Sequence, residues 1–497
     1  MSQPPGTSYG LTWHGKAEAR QQALQPARGA LRPVPELGLN PAQSEHMLIE
    51  GDNLEVLRHL VLSHAGQVKL IYLDPPYNTG KNFVYDDHFQ APLHSYLDST
   101  GQKTKTSGQP SEPLEPRETS GRFHTDWLNM MYPRLLLAHQ MLQEDGVLAM
   151  SIDDGEVAQL KLLTCEIFGE DCFVAQIAVV SNPRGRHLSR FVAQTHEYVL
   201  LFVKNPRVRE SLSGLTKSPA MQEEYQEADE HGPYRLLGLR NRNQSFNPKT
   251  RPNLYYPLYV DPETRTVSLE RTATHTLELW PDTPEGIPTC WTWSRKKVEV
   301  ENQRLVAHQL DAGWRIFRKN YLRQADGRIS STLVRSVWTE KEFSNDYGRR
   351  TIRALFGAPV MDFPKPVELL ERILAVGCGT GGWVLDFFAG SATTGHAVYR
   401  SLVQGGPPRR FILVQRAENT RKSRSTGTWE ESEASRAGFF TLAELACERL
   451  RRASQHLSTQ PGAAGHDLGF CYFRWESDDT GTRMNLDTPA DERFSRS

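Results

Sequence analysis

The apolar positions of this chain follow two periodicities that take turns. Val68-Lys69-Leu70-Ile71-Tyr72-Leu73 and Gly146-Val147-Leu148-Ala149-Met150-Ser151-Ile152 are short, nearly unbroken apolar runs, the pattern of strands buried on both faces. Around them the apolar positions recur every three or four residues, which predicts helices from Trp127 to Leu142 and from Glu156 to Phe168. His196 to Val203 reads as a further strand. Strands alternating with helices between Met47 and Asn205 point to an α/β layer with a mainly parallel sheet.

The alternation lapses and then resumes. Pro366 to Ala375 predicts a helix, Trp383 to Phe387 a strand, Thr393 to Leu402 a helix and Phe411 to Val414 a strand. One sheet assembled from both halves, with the middle region inserted as a separate lobe, accounts for this order. Residues 90–122 are rich in Ser, Thr, Gly and Pro with few large apolar side chains, so a mobile loop is expected there. Arg421 to Ser435 reads as a second polar loop, the chain beyond Glu476 has no periodicity, and no internal repeat is seen. The expected organisation is an N-terminal extension (1–45), a first half of the α/β domain (46–205), an inserted domain (206–350), a second half (351–475) and a flexible tail (476–497).

Composition adds three points. At 497 residues two or more domains are expected. Residues Met1 to Ala30 are polar, without a signal-peptide core, and no apolar run reaches membrane-spanning length. Cys165, Cys172, Cys290, Cys378, Cys447 and Cys471 are scattered without a Cys-x-x-Cys pair, which argues against structural zinc or a disulfide framework and for a reducing cytoplasm. The net charge of −1 hides an asymmetry, because Pro233 to Arg353 carries 21 Lys/Arg against 13 Asp/Glu. A basic stretch on an otherwise acidic chain is the footprint of a polyanion-binding face, although a solvated basic surface would read the same way.

Candidate chemistry sits at two strand ends. The first is Asp74-Pro75-Pro76-Tyr77-Asn78-Thr79-Gly80. Two prolines cannot continue a central strand, so they form a stiff turn where open α/β sheets bind ligands. A poorly nucleophilic exocyclic amine could place its two N–H bonds on the Asp74 carboxylate and the Pro75 carbonyl. That frees its lone pair for attack on a methyl sulfonium, by positioning and charge-assisted hydrogen bonds alone. Tyr77 offers an aromatic face to a base swung out of a duplex. The plain alternative is a Pro-Pro strand terminator.

The second is Val384-Leu385-Asp386-Phe387-Phe388-Ala389-Gly390-Ser391-Ala392-Thr393-Thr394-Gly395, which reads as strand, tight turn and helix start. Gly390 permits close approach of a ligand, and Ser391, Thr393 and Thr394 are expected to cap the helix, whose N-terminus favours a carboxylate such as that of S-adenosylmethionine. An ordinary βα connection would look similar. The Gly-x-Gly-x-x-Gly spelling at Gly377 to Gly382 precedes its strand and is read as a loop. The next strand ends in Gln415, and the nearest acid for ribose hydroxyls is Glu418.

Taken in order, these motifs resemble the β-class DNA amino-methyltransferases, and within them the modification subunits of type III restriction–modification systems. Further likenesses are Met47-Leu-Ile-Glu-Gly-Asp-Asn-Leu54, Trp127-Leu-Asn-Met-Met-Tyr-Pro-Arg-Leu135, Ser151-Ile-Asp-Asp154, His196-Glu-Tyr198, Arg251-Pro-Asn-Leu-Tyr-Tyr-Pro257, Phe363-Pro-Lys-Pro-Val-Glu-Leu-Leu370 and Val414-Gln-Arg-Ala-Glu418. The resemblance runs from about Leu11 to Trp475 and implies a Rossmann-like methyltransferase sheet with an inserted target-recognition domain. It implies methyl transfer from S-adenosylmethionine to the N6 amine of a flipped adenine, without a metal. Asp74, Pro75, Pro76 and Tyr77 would be catalytic. Asp386, Phe388, Gly390, Ser391, Thr393, Thr394, Lys365, Pro366 and Glu418 would bind the cofactor. Ala392 stands where the family usually has a second glycine, and being small it is expected to be tolerated.

In the basic stretch, Arg240, Arg242, Asn243, Lys249, Arg251, Lys296 and Lys297 are the candidate DNA contacts, with Asn241, Arg242, Asn243 and Gln244 favoured for base reading. Its tryptophans are expected in a core. The expected partners are double-stranded DNA, a second copy of the chain and a restriction or helicase subunit, with no membrane. Competing readings are cytosine-N4 methylation, RNA methylation and a non-catalytic DNA-recognition subunit.

Overall fold

The computed structural model describes residues 10–78, 121–185, 191–311, 313–324, 327–423 and 429–478. The loop expected at 90–122 lies outside them as far as residue 120, as does the tail from 479. The chain divides into two compact units, Met1–Ser213 with Val334–Ser497, and Gly214–Leu333.

The first unit is built on one ten-stranded sheet. Its strands, in chain order, are β1 (Gly29–Pro33), β2 (Met47–Glu50), β3 (Val68–Leu73), β4 (Leu142–Ile152), β5 (Phe173–Val179), β6 (Glu197–Val203), β7 (Val337–Trp338), β8 (Gly382–Asp386), β9 (Arg409–Gln415) and β10 (Cys471–Ser477). Their spatial order is β1-β10-β2-β9-β8-β3-β4-β6-β5-β7. Six neighbouring pairs run parallel, from β10·β2 through β3·β4 and again at β7·β5. Antiparallel pairing joins β4 to β6, β6 to β5 and β1 to β10. The halves of the sequence interleave, since β8 and β9 from the C-terminal half lie between β2 and β3.

Burial explains which runs became central strands. Every residue of β3 is buried, including Lys69, whose ammonium lies 2.7 Å from both the side-chain and main-chain oxygens of Asp145. A buried cation needs such a partner. β4 starts at Leu142, earlier than the apolar run, because a register shift lets Leu142 pair with Val68. The longer helices of the unit are α1 (Lys16–Ala23), α2 (Asn53–His64), α3 (Gly121–Met141), α4 (Val157–Phe168), α5 (Asn345–Phe356), α6 (Val367–Gly377), α7 (Thr393–Val403) and α8 (Leu442–Ser458). Asp52 caps α2 by accepting from the amides of Leu54 and Glu55, and Thr441 with Glu444 forms a capping box on α8. Residues 10–45 supply α1 and the edge strand β1. Among the described residues no helix is long and apolar enough to cross a membrane.

The second unit carries a four-stranded antiparallel sheet and smaller pieces. Its core gathers Trp291, Trp293, Tyr256, Leu258, Val298 and Ile316, so Trp291 and Trp293 are core residues as expected, while Trp314 packs half-buried against them and Trp280 is exposed. The basic stretch and this unit do not coincide: Gly214–Leu333 holds 17 Lys/Arg against 15 Asp/Glu, because the acidic segment 223–230 belongs to it and residues 334–353 belong to the first unit.

Helix α5 packs so closely on the segment before α6 that a β-carbon at Gly348 would collide with the Pro364 carbonyl oxygen. Glycine to alanine in a helix ordinarily stabilises by about 1 kcal/mol. At Gly348 the sign should reverse, with overpacking costing about 1–3 kcal/mol. A lower denaturation midpoint for Gly348→Ala, measured against the wild-type chain in urea, is the expected result.

Candidate active site

Strands β8 and β3 are parallel neighbours, with Val384 opposite Leu70 and Leu385 opposite Ile71. Their carboxyl ends therefore open at the same edge of the sheet, and two motifs about 310 residues apart in sequence meet there. Asp74 and Tyr72 from β3 line one cleft with Asp386, Phe388, Gly390, Ser391, Thr393 and Thr394 from β8 and its turn, and with Phe363 and Lys365.

At the proline corner the Lys365 ammonium is the hub. It donates to the Tyr77 hydroxyl at 2.6 Å and to Glu197 Oε1 at 2.9 Å, and lies 3.4 Å from Asp74 Oδ1. The Tyr77 hydroxyl in turn faces Glu197 Oε2 at 3.4 Å. One cation is thus shared by two carboxylates and a phenol. Burial alone would lower the Lys365 pKa, but Asp74 and Glu197 raise it above the ordinary lysine value. Burial lifts the Asp74 carboxyl, and Lys365 offsets part of that rise. Burial also drives the Tyr77 phenol well up, so it stays protonated.

The corner is braced from behind. The Trp127 indole donates to the Pro76 carbonyl at 2.7 Å. Asn78 adopts a left-handed backbone, φ 53°, and its amide bonds the buried Glu156 carboxylate, which His124 Nδ1 also meets at 2.7 Å. Glu156 is not the first residue of α4, as its sequence suggests, but the residue before it. Its side chain serves this brace and makes no cap bond.

At the glycine turn, Asp386 accepts from the Phe388 amide at 3.0 Å and from the Thr394 hydroxyl at 2.5 Å. Gly390 has φ 54°, and its amide donates to Gln415 Oε1 at 2.7 Å. The polar residue ending β9 therefore holds the turn shut. The expected capping by Ser391, Thr393 and Thr394 does not occur: the position before α7 is Ala392, with no side-chain cap. Both Ser391 Oγ and Thr393 Oγ1 instead accept from Arg449 Nη1, at 2.7 and 2.6 Å. Arg449 is fully buried on α8, and its Nε and Nη2 have no hydrogen-bond partner among the described residues. Because the guanidinium occupies a lone pair on each hydroxyl, each hydroxyl must aim its hydrogen elsewhere, and both residues line the cleft.

Ala392 has φ 61° and ψ 39°, a conformation that costs an L-residue about 1 kcal/mol and explains why a glycine is usual there. Pro366 sits at the cap of α6, next to Lys365. Glu418 is not among the residues lining the cleft; burial raises its carboxyl pKa. Sequence reasoning gave no role to Glu197, although its segment was part of the family likeness, and none to Arg449.

The family described as DNA methylase matches residues 68–402, a span that includes both motifs and the inserted unit between them. The chain belongs to this DNA methylase family. It is 32% identical over 470 residues to the type III restriction-modification enzyme EcoPI Mod subunit of Escherichia phage P1, covering 93% of this chain and 70% of the relative. The StyLTI Mod subunit of Salmonella typhimurium is also 32% identical, over 492 residues, covering 97% and 68%. The type II methyltransferase M.KpnI of Klebsiella pneumoniae is 30% identical over 407 residues, covering 82% and 87%.

In this methylase the candidate DNA contacts of the second unit converge through main-chain bonds. Arg240 pairs with Trp291, the Asn241 amide donates to the Cys290 carbonyl at 2.8 Å, and the Trp291 amide donates to Leu254 at 2.9 Å. Arg242, Asn243, Lys249, Arg251, Lys296 and Lys297 are exposed, and Arg240 is half-buried. Lys297 lies 4.7 Å from the Trp293 ring centre, and Arg251 5.5 Å from that of Phe246. Asn243 accepts from the Ser245 amide at 3.0 Å, which ties its carbonyl oxygen to a turn. All six cysteines are free, and among the described residues no His/Cys/Asp/Glu cluster could hold a metal.

Burial pushes the Asp386 carboxyl up to about 7, from an unfolded value near 3.8. Between those values Asp386 holds more of its proton in the folded methylase than in the unfolded chain, so its own contribution to stability is fullest at the acid end and declines as pH rises. The Asp386 share of that decline is at most about 1.4 kcal/mol per pH unit. Asp74, Glu156 and Glu418 shift in the same direction, so the informative quantity is a difference. Asp386→Asn should flatten the slope of unfolding free energy against pH between 4 and 7 relative to wild type.

Proposed function

We propose that this chain transfers a methyl group from S-adenosylmethionine to the N6 amine of an adenine flipped out of duplex DNA, as the modification subunit of a restriction–modification system. The observation that carries this reading is the shared cleft: the Asp74 carboxylate and the Gly390 turn line one cavity although distant in sequence.

The turn suits the cofactor. Gly390 offers backbone without a side chain, and Ser391 and Thr393 present hydroxyl hydrogens backed by a buried guanidinium, a donor set for a carboxylate. When bound, S-adenosylmethionine supplies a methyl group activated by its sulfonium. The chain's own residues do the rest. Asp74 and the Pro75 carbonyl accept the two N–H bonds of the amine and fix its lone pair toward the turn. Tyr77, held through its hydroxyl by Lys365 and Glu197, keeps its ring in place for the base. The proton released by the amine passes to Asp74, whose burial-raised pKa makes it a better acceptor than an exposed carboxylate.

The leading Asp of the motif favours adenine over cytosine, whose N4 amine would fit the same geometry. An intact Asp74–Lys365–Glu197 network favours an enzyme over a recognition subunit that merely binds. The exposed cations of the second unit would position the duplex. A second copy of this chain and a restriction subunit are the partners this reading supplies, the latter on the strength of the Mod-subunit relatives.

Two experiments bear on it. Duplex DNA of mixed sequence incubated with labelled cofactor should become methylated, and nucleoside mass spectrometry should find N6-methyladenine. Asp74→Ala should reduce incorporation by about 10²–10³-fold while DNA binding persists; equal incorporation by the variant, or N4-methylcytosine as product, would refute the assignment. Arg449→Met should weaken binding of S-adenosylhomocysteine by about ten- to hundred-fold. Binding of 5′-methylthioadenosine, which lacks the carboxylate, should be unaffected. Calorimetry with both ligands separates loss of the carboxylate donors from collapse of the turn.

A further inference from the structure

The first unit contains a second cavity, of about 320 Å³, that the methyl-transfer reading does not use. Arg184, Lys341, Arg349 and Arg350 converge on it, with Asp346 as the one acidic residue in its lining among the described residues. Asp346 lies 3.8 Å from Arg349, both being exposed, so it offsets one of four cations loosely. Like charges gathered around a concavity repel one another, and they are favourable where a polyanion will lie.

The floor adds to the same preference. Helix α5 begins there, and its cap residue Ser344 gives no side-chain cap; the Ser344 hydroxyl donates back to the Lys341 carbonyl at 2.7 Å. No side chain therefore caps the first amides of the helix, and the exposed Asp346 of its first turn offsets only part of the positive end. Two of the guanidinium groups lie against aromatic rings, Arg350 at 5.3 Å from Tyr347 and Arg349 at 5.5 Å from Phe363. Such packing orders a flexible cation without neutralising it.

Phe363 joins this cavity to the active site. It lines both, and 61% of its surface is exposed. A bare aromatic between a cleft for a base and a basket of cations matches how single nucleotides are held, bases on rings and phosphates on cations. We propose that this cavity grips the sugar–phosphate backbone of the DNA strand whose base enters the neighbouring cleft. The proposal rests on the DNA-methylase reading and assigns a phosphodiester site to the methyltransferase unit itself. The near-balance of charge in Gly214–Leu333 fits this division of labour.

The test uses the full-length chain and mixed-sequence duplex DNA, with affinity followed by fluorescence anisotropy over a range of salt. Lys341→Ala/Arg350→Ala should bind DNA more weakly and show a slope of log affinity against log salt shallower by about 2, one for each phosphate that is no longer neutralised. Lys341→Arg/Arg350→Lys should keep the wild-type slope. Binding of S-adenosylhomocysteine should be unchanged in both variants, which separates phosphate binding from damage to the fold or the cleft. If wild type methylates DNA yet the alanine variant keeps its affinity and slope, this inference alone is overturned. An alanine variant that weakens with an unchanged slope also overturns it, because the two cations then displaced no counterions in the wild type. If wild type binds neither DNA nor S-adenosylhomocysteine, the functional reading falls and takes this inference with it.

Discussion

The parallel pairing of β8 with β3 is the constraint on which everything else depends. A strand near residue 70 and a strand near residue 385 must lie side by side, in register, before Asp74 can face Gly390. That pairing spans most of the chain, so a large loop has to be closed to make it. β9 beside β8 and β4 beside β3 flank this seam on both sides and keep it in the middle of the sheet. Inserting a compact unit between the halves leaves the seam intact, because the insert starts and ends outside the central strands.

From that seam the electrostatics follow. Carboxylates at buried strand ends would protonate if left alone, and Asp386 is lifted to about 7 despite two hydrogen bonds. Asp74 is treated differently, since Lys365 stands beside it and restrains the rise. The same ammonium secures Tyr77 and Glu197, so two carboxylates and a phenol at the proline corner are fixed by one side chain. Gly348 is part of this arrangement at one remove, because it lets α5 approach the segment that carries Lys365.

The fold and the two strand-end motifs were legible because rigid residues announced them. Pro75 and Pro76 cannot extend a strand, and Gly390 takes a backbone that other residues avoid, so residue type and position carried the geometry. Lys365 was legible as important, through the family likeness, but not as the partner of Asp74, because that depends on where the α6 cap lands in space. Glu418 looked like the acid after β9, yet Gln415 at the strand end is the side chain that holds the turn. Glu197 and Arg449 carried no local signal of their roles. Arg449 stands in the run Arg449-Leu450-Arg451-Arg452, which reads as the solvated face of a helix; burial of one member against the glycine turn is a tertiary fact. The basic stretch was visible, but its division between two units was not, since charge counts do not reveal where a compact unit begins.

Arg449 also shows how this site uses an unfavourable arrangement. A fully buried guanidinium with two nitrogens unpaired among the described residues costs free energy, and burial lowers its pKa to about 9. If its purpose were only to hold α8 against α7, an apolar side chain of similar size would do so at less cost. What an apolar residue could not do is orient the Ser391 and Thr393 hydroxyls. Donating to both oxygens, Arg449 converts two indifferent hydroxyls into donors and sets a positive charge behind them. Ala392 between them adopts a left-handed backbone at a further small cost. The turn is therefore held in a shape the free chain would avoid, with its polarity set for an anion. A negative charge placed before the two hydroxyls would offset that cost, so the energetic weakness of the turn and its fit to the proposed carboxylate site are the same property.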